Sequence, residues 1–177
     1  MEIKQTRAGD VATLSLGGRF DFNAHRAFKE AYSACLADAG WLAAIDAEVS
    51  FNPWNEQQFA LVCGTTAGYR ESALVAVEDN CLHGFVVFSQ VLDEGSIHNL
   101  AVRSAYHRKG LGRLLLEAAV AEMIRADARR CLLEVRRSNK AARRLYEGNG
   151  FALDGVRKNY YPKESGREDA LLMSREL

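Results

Sequence analysis

Proline is nearly missing from this 177-residue chain, which carries only Pro53 and Pro162. Little of it therefore reads as stiff linker, and one packed core is expected at this length. Net charge is missing too, because 23 acidic residues balance 23 basic ones. A neutral chain exerts no global pull on nucleic acid or on a membrane surface, so any charged ligand must be held by local features. The four cysteines, Cys35, Cys63, Cys81 and Cys131, lie far apart with no C-x-x-C pair. That argues against a zinc or thioredoxin-like motif; in apolar stretches such residues behave as small hydrophobes. No apolar run approaches membrane-spanning length, and the opening MEIKQTRAGD lacks the apolar core of a signal peptide. The expectation is a cytoplasmic protein, a monomer or weak dimer, with no membrane partner and no direct nucleic-acid partner.

What is present is a change of period along the chain. Residues 11–16 read as a strand and Gly17-Gly18 as a break. Asn23 then caps a helix carrying Ala24, Ala27, Phe28, Ala31, Cys35 and Leu36, with Gly40 as its stop. A shorter helix places Trp41, Leu42, Ile45 and Val49 on one face and ends before Pro53. Asn55 and Gln58 have the spacing of a capping box ahead of Phe59, Val62 and Cys63. Residues 73–77 and 84–88 read as antiparallel strands and 96–102 as a third. Beyond Gly110 the apolar stripe Leu111, Leu114, Leu115, Ala118, Ala119 and Met123 predicts a long helix. A strand at 131–135, a short helix at 139–146 and closing strands at 151–156 and 169–173 complete the pattern. This order implies an α/β fold of the α+β kind, a mixed sheet with helices on its faces.

The segment LAVRSAYHRKGLGR (100–113) is the most informative. An apolar strand runs into a basic, glycine-containing turn that opens directly into the long helix. Helix N-termini present unpaired N–H groups and partial positive charge, a ready anion site. Gly110 and Gly112 remove side chains from the approach, while Arg108, Lys109 and Arg113 add charge. A strand-to-helix turn with an exposed basic cap is the plainer alternative. A dinucleotide fingerprint needs a third glycine at position 115, which is leucine, and no P-loop G-x-x-x-x-G-K-[ST] occurs. Hydride transfer and nucleotide hydrolysis are both disfavoured.

The hexad His107-Arg108-Lys109-Gly110-Leu111-Gly112 resembles the Q/R-x-x-G-x-G/A signature of the GCN5-related N-acetyltransferase superfamily, with histidine at the first position. The segments 51–59, 90–102, 133–151 and 157–173 are similar to the RimI-type ribosomal-protein alanine N-acetyltransferases. The resemblance spans about 41–177. It implies the fold of that superfamily, a mostly antiparallel sheet with helices on both faces, and acetyl-CoA as cosubstrate with no metal. It implies that the strand residues Leu100, Ala101 and Val102 hold the pantetheine and thioester. It also implies that His107, Arg108, Lys109, Gly110, Leu111 and Gly112 hold the pyrophosphate, and that Asn139 contacts the cofactor. Glu134 becomes the proton acceptor and Tyr146 the proton donor. The acceptor it implies is the N-terminal alanine of a ribosomal protein.

The residues suit that chemistry. An N-terminal ammonium with a pKa of about 8 can be deprotonated by a carboxylate, and a phenol of pKa about 10 can protonate a thiolate. Glu134 projects opposite Leu133 and Val135 on its strand; alone, it also reads as a solvated glutamate, and Tyr146 as a core tyrosine. No cysteine–histidine pairing asks for a covalent intermediate, so direct attack in a ternary complex is expected. Phe51 and Trp54 either wall a peptide cleft or plug a loop, and Asn159, Tyr160 and Tyr161 suit an extended peptide. Residues 1–40 depart from the pattern and resemble the first elements of a STAS domain. They are expected to pack on a catalytic domain at 41–177, since so short a piece is marginal alone. Two other functions stay open: acetylation of another peptide or small amine, and a non-catalytic regulatory module.

Overall fold

The computed structural model of the chain describes residues 2–8, 11–17, 39–63, 71–78 and 81–177. Eight strands form one sheet: β1 (Glu2–Ala8), β2 (Val11–Gly17), β3 (Glu71–Glu78), β4 (Cys81–Val91), β5 (Glu94–Val102), β6 (Arg130–Arg136), β7 (Ala152–Pro162) and β8 (Arg167–Glu176). Their spatial order is β1-β2-β3-β4-β5-β6-β8-β7. Only the β2–β3 and β5–β6 pairs are parallel; the other neighbours run antiparallel. Among the described residues the helices are α1 (Ala39–Val49), α2 (Glu56–Cys63), α3 (Leu111–Arg125) and α4 (Lys140–Glu147), with one 3-10 turn at Ser104–Tyr106.

Strand alternation sorts the core into two layers, one on each face of the sheet. Leu74, Ala76, Val86, Phe88, Ile97 and Leu133 join α3 through Leu111, Leu115, Leu116 and Met123. Ala73, Val75, Phe85, Val87 and Ala101 join α1 and α2 through Leu42, Ile45 and Phe59 on the other face. The central strand β4 must serve both, so Leu82 to Phe88 is buried without interruption. Leu115 and Leu116 have no exposed surface, and such burial stabilises by about 1.5–3 kcal/mol per side chain.

The expected capping box is present at the start of α2. Asn55 Oδ1 accepts from the Gln58 N–H and Gln58 Oε1 accepts from the Asn55 N–H, both at 2.9 Å. Other boundaries moved. Gly40, expected as a helix stop, is the second residue of α1; the helix expected at 24–36 lies outside the described residues. The closing strands run to 162 and from 167 because pairing along the sheet edge carries polar residues that periodicity alone does not mark.

Candidate active site

Everything distinctive about the site begins where β5 and β6 separate. Their parallel pairing stops at Ile97–Leu133, although β5 continues to Val102 and β6 to Arg136. A bulge marks the same point: Phe88 pairs with Ile97 and Val87 with Asn99, so His98 is an extra residue on β5. Beyond it the strands diverge, and the β6-facing backbone groups of β5 lose their sheet partners.

This opening continues into a cleft of about 620 Å³, lined by Val49 and Ser50 at the end of α1 as well as by groups around α3. Leu100, Ala101 and Val102 line it from β5; His107, Arg108, Gly110, Leu111, Gly112 and Arg113 line it from the turn and α3; Asn139, Arg144 and Tyr146 line it from around α4. Arg108 (φ 59°) and Gly110 (φ 86°) both adopt left-handed backbone, which reverses the chain tightly into α3. A Cβ on Gly110 would meet nothing within 4 Å, so conformation, not space, calls for glycine there. A Cβ on Gly112 would meet the side chains of Leu145 at 3.5 Å and Leu100 at 3.7 Å, so this glycine keeps the neck of the cleft open. The Leu114 N–H donates to the Gly110 carbonyl at 3.0 Å as α3 begins. The N–H groups of Leu111, Gly112 and Arg113 thus have no partner within the helix.

Two residues of the hexad are engaged elsewhere. His107 Nε2 lies 2.7 Å from the Val102 carbonyl and donates to it, tying the turn to the strand end. Lys109 does not line the cleft; its Nζ sits 4.7 Å over the ring of Tyr106, which stacks on His83 at 3.8 Å. The turn is further held from α1, where Glu48 accepts from the Ser104 N–H at 2.8 Å and Arg103 Nη1 at 3.2 Å. The Ser104 backbone bond is the largest cause holding the Glu48 carboxyl below its ordinary range. Asn139 caps α4 by accepting from the Ala142 N–H at 3.1 Å.

Tyr146 is buried beside Phe151, with ring centroids 5.9 Å apart. Burial first, then Tyr161 and Cys131, push its phenol up to about 12. No hydrogen bond reaches its hydroxyl among the described residues.

The opposite face presents a second set of groups. Along β6, Cys131, Leu133 and Val135 turn into the α3-side core, leaving Leu132, Glu134 and Arg136 on the other face. Glu134 Oε1 accepts from Arg157 Nη1 at 2.6 Å. Burial first, then the charge of Glu134, raise the Tyr161 phenol above its ordinary value. The Tyr161 phenol is therefore within electrostatic reach of both Glu134 and Tyr146.

Several residues of this face carry no recognisable motif. Arg136 lies 5.3 Å from the centre of the Phe51 ring and 4.4 Å from that of Tyr161. It donates to the Pro162 carbonyl and to Glu168 Oε1, both at 2.9 Å. Burial pushes the Glu168 carboxyl up, but hydrogen bonds from Arg136 and Ser138 outweigh it and hold the group below its ordinary range. Asp46 is buried on α1 and accepts from Ser50 Oγ, from the Trp54 N–H at 2.8 Å and from Asn99 Nδ2 at 2.8 Å. The signal for it was legible: Asp46 interrupts the buried face of Leu42 and Ile45 at helical spacing.

Of the aromatic candidates, Phe51 is exposed, whereas Trp54 packs on Phe59 with centroids 5.3 Å apart and belongs mainly to the core edge. Asn159 holds left-handed backbone (φ 52°) in a bulge of β7, and its N–H donates to Asp169 Oδ1 at 3.0 Å. That bulge presents Tyr160 and Tyr161, which meet edge to face at 4.9 Å. Among the described residues no group of three or more His, Cys, Asp or Glu could hold a metal ion. No described helix is long and apolar enough to cross a membrane.

A splayed parallel pair beside a glycine-bearing helix start defines an acetyltransferase fold. The profile of the acetyltransferase (GNAT) family matches residues 39–151, and the chain belongs to that family. It is 40% identical over 122 residues to the ribosomal protein bS18-alanine N-acetyltransferase of Escherichia coli (strain K12), covering 69% of this chain and 80% of that one. The Haemophilus influenzae protein of the same name is 42% identical over 108 residues, covering 60% of this chain and 73% of that one. The crystal structure of the E. coli ribosomal-protein-S18-alanine N-acetyltransferase superposes with a TM-score of 0.72 at 36% identity, over 79% of this chain and 88% of that one. A GNAT acetyltransferase from Elizabethkingia anophelis with acetyl-CoA bound matches with a TM-score of 0.55 at 25% identity, over 60% of this chain and 76% of that one.

Proposed function

We propose that this protein transfers acetyl from acetyl-CoA to the α-amine of a protein N-terminus, with the N-terminal alanine of a ribosomal protein as acceptor. The observation that carries this reading is the opening beyond Ile97 and Leu133, with Tyr146 in the cleft on one side and Glu134 on the other. The names of the relatives supply the acceptor.

Acetyl-CoA supplies the activated acyl carbon. The cleft suits it: free N–H groups at the start of α3 receive the diphosphate, and Arg108 and Arg113 add charge. Lys109 adds charge at the mouth from its seat on Tyr106. Leu100, Ala101 and Val102 offer the backbone groups that the splay frees for the pantetheine and thioester carbonyl. His107 acts through the Val102 carbonyl, and Asn139 through the start of α4 at the cleft wall. Tyr146 retains its proton for the leaving sulfur, and Glu134 accepts a proton from the amine. Phe51, Asn159, Tyr160 and Tyr161 form the acceptor side, with Trp54 backing it from the core edge and Arg136 keeping Phe51 and Tyr161 in place. Much of the rate comes from alignment and from backbone donors aimed at the thioester oxygen. Residues 1–40 serve as an added segment whose strand β2 extends the sheet at β3.

Mass spectrometry of peptides incubated with enzyme and acetyl-CoA tests the reading. One acetyl group on the α-amine of an alanine-initiated ribosomal-protein peptide is expected, with no acetyl-enzyme when acetyl-CoA is added alone. Transfer confined to lysine side chains or small amines overturns the acceptor assignment.

A further inference from the structure

The chain as a whole holds as many acidic as basic residues, yet among the described residues no Asp or Glu lines the cleft beside α3. Its arginines are Arg108 from the turn, Arg113 from α3 and Arg144 from α4. They are not equivalent. Arg113 Nε donates to Glu117 Oε1 at 2.8 Å, one turn further along α3. On α4, Arg143 donates to the Arg137 carbonyl at 3.3 Å and reaches Glu147 at 3.7 Å, which occupies the carboxylate closest in sequence to Arg144. Among the described residues no hydrogen bond or ion pair holds the side chain of Arg108 or of Arg144.

The place of Arg144 is set by α4. Leu145 stands over Gly112, so this helix walls the cleft opposite the start of α3. Around it, exposure grows from the buried Tyr146, through the half-buried Ala142 and Leu145, to the exposed Ala141 and Arg144. Residues three apart share a helix face, and the alanine at 141 leaves the guanidinium beside it uncovered. Tyr146 therefore lies at the floor of the cleft and Arg144 at its mouth.

We infer that Arg144 receives the ribose 3′-phosphate of the cofactor and so makes the protein select coenzyme A thioesters over their 3′-dephospho forms. This rests on the acetyl-transfer reading above. A cofactor with its thioester near Tyr146 and its diphosphate on the start of α3 carries its nucleotide at the mouth. There the phosphomonoester brings a charge of about −1.5 to −2 at pH 7, separate from that of the diphosphate. The N–H groups of α3 and Arg108 serve the diphosphate, so the second phosphate needs a second cation. Arg144 is the free one on the facing wall, and a guanidinium matches phosphate oxygens in a two-pronged contact. Because Arg144 is exposed, salt screens the contact and keeps its contribution moderate.

Isothermal titration calorimetry with coenzyme A and with 3′-dephospho-coenzyme A tests this on the unaltered protein, Arg144→Gln and Arg144→Lys, in about 0.1 M salt at about pH 7.5. The unaltered protein is expected to bind coenzyme A about tenfold more tightly than the dephospho form, the size of one charge-assisted contact. Arg144→Gln is expected to narrow that preference to within about twofold by weakening coenzyme A alone. Its unchanged affinity for the dephospho form shows that the cleft is still folded. Arg144→Lys, which keeps the charge without the planar fork, is expected to retain part of the preference. A full preference in Arg144→Gln overturns the inference. So does equal weakening of both ligands, which places Arg144 on the diphosphate or in the fold, and so does equal binding of both by the unaltered protein. If the unaltered protein binds neither ligand, the acetyl-transfer reading falls and takes the inference with it.

Discussion

At Tyr146, the proposed proton donor, burial governs when the hydroxyl ionises. With its pKa pushed up to about 12, the phenol keeps its proton as pH rises past the ordinary value of about 10. Its capacity to protonate a thiolate is therefore intact at neutral pH and is lost only as pH climbs through the folded value. The same shift favours the folded state below about pH 10 and withdraws that contribution between there and about 12. Tyr146→Phe is expected to lower kcat by about 10²-fold while changing thermal stability little, since no hydrogen bond to its hydroxyl is lost. A kcat within twofold of the unaltered protein, measured by steady-state kinetics, speaks against Tyr146 as the donor.

At the scale of elements, the strands that position the site were legible wherever apolar periodicity was clean. The β3–β4–β5 run, α3 and the capping box of α2 follow from spacing alone. The bulges were not legible, because an extra residue such as His98 or Asn159 changes which face a side chain takes without altering composition. Arg157 was missed for the same reason: it meets Glu134 only because β8 places β7 within reach of β6. Motif resemblance named Glu134, Tyr146 and the glycine turn, yet it said nothing of which face of the sheet each occupies. Asp46 shows how elements are joined near the site, since one carboxylate ties α1, the loop at Trp54 and the β5 residue after the bulge. Asp46→Ala leaves the Asn99 amide and the Trp54 N–H without an acceptor and is expected to cost about 2–5 kcal/mol. Denaturant titration reads this directly; a loss below about 0.5 kcal/mol, the range of ordinary surface changes, contradicts the anchoring role.

Across the whole molecule, the mixed sheet divides labour between its faces. The α3 face carries the start of α3, proposed to accept the diphosphate, and Tyr146; the α1 face carries Glu134, His98 and the aromatic rim. The only passage between them that the strand pairing provides among the described residues is the gap beyond Ile97 and Leu133. In the proposed reaction the two substrates enter from opposite faces and meet there, and direct transfer without a covalent enzyme intermediate is the expected course.

The central claim is that the N-terminus of α3 grips the diphosphate of acetyl-CoA and so aims its thioester into that gap. Isothermal titration calorimetry with acetyl-CoA tests it most directly, using the unaltered protein and Gly112→Val, whose side chain fills the space facing Leu145 and Leu100. Saturable binding to the unaltered protein is expected, weakened at least about tenfold, or 1.4 kcal/mol, in a Gly112→Val protein that circular dichroism shows to be folded. No heat with the unaltered protein, or equal affinity in the two, contradicts it.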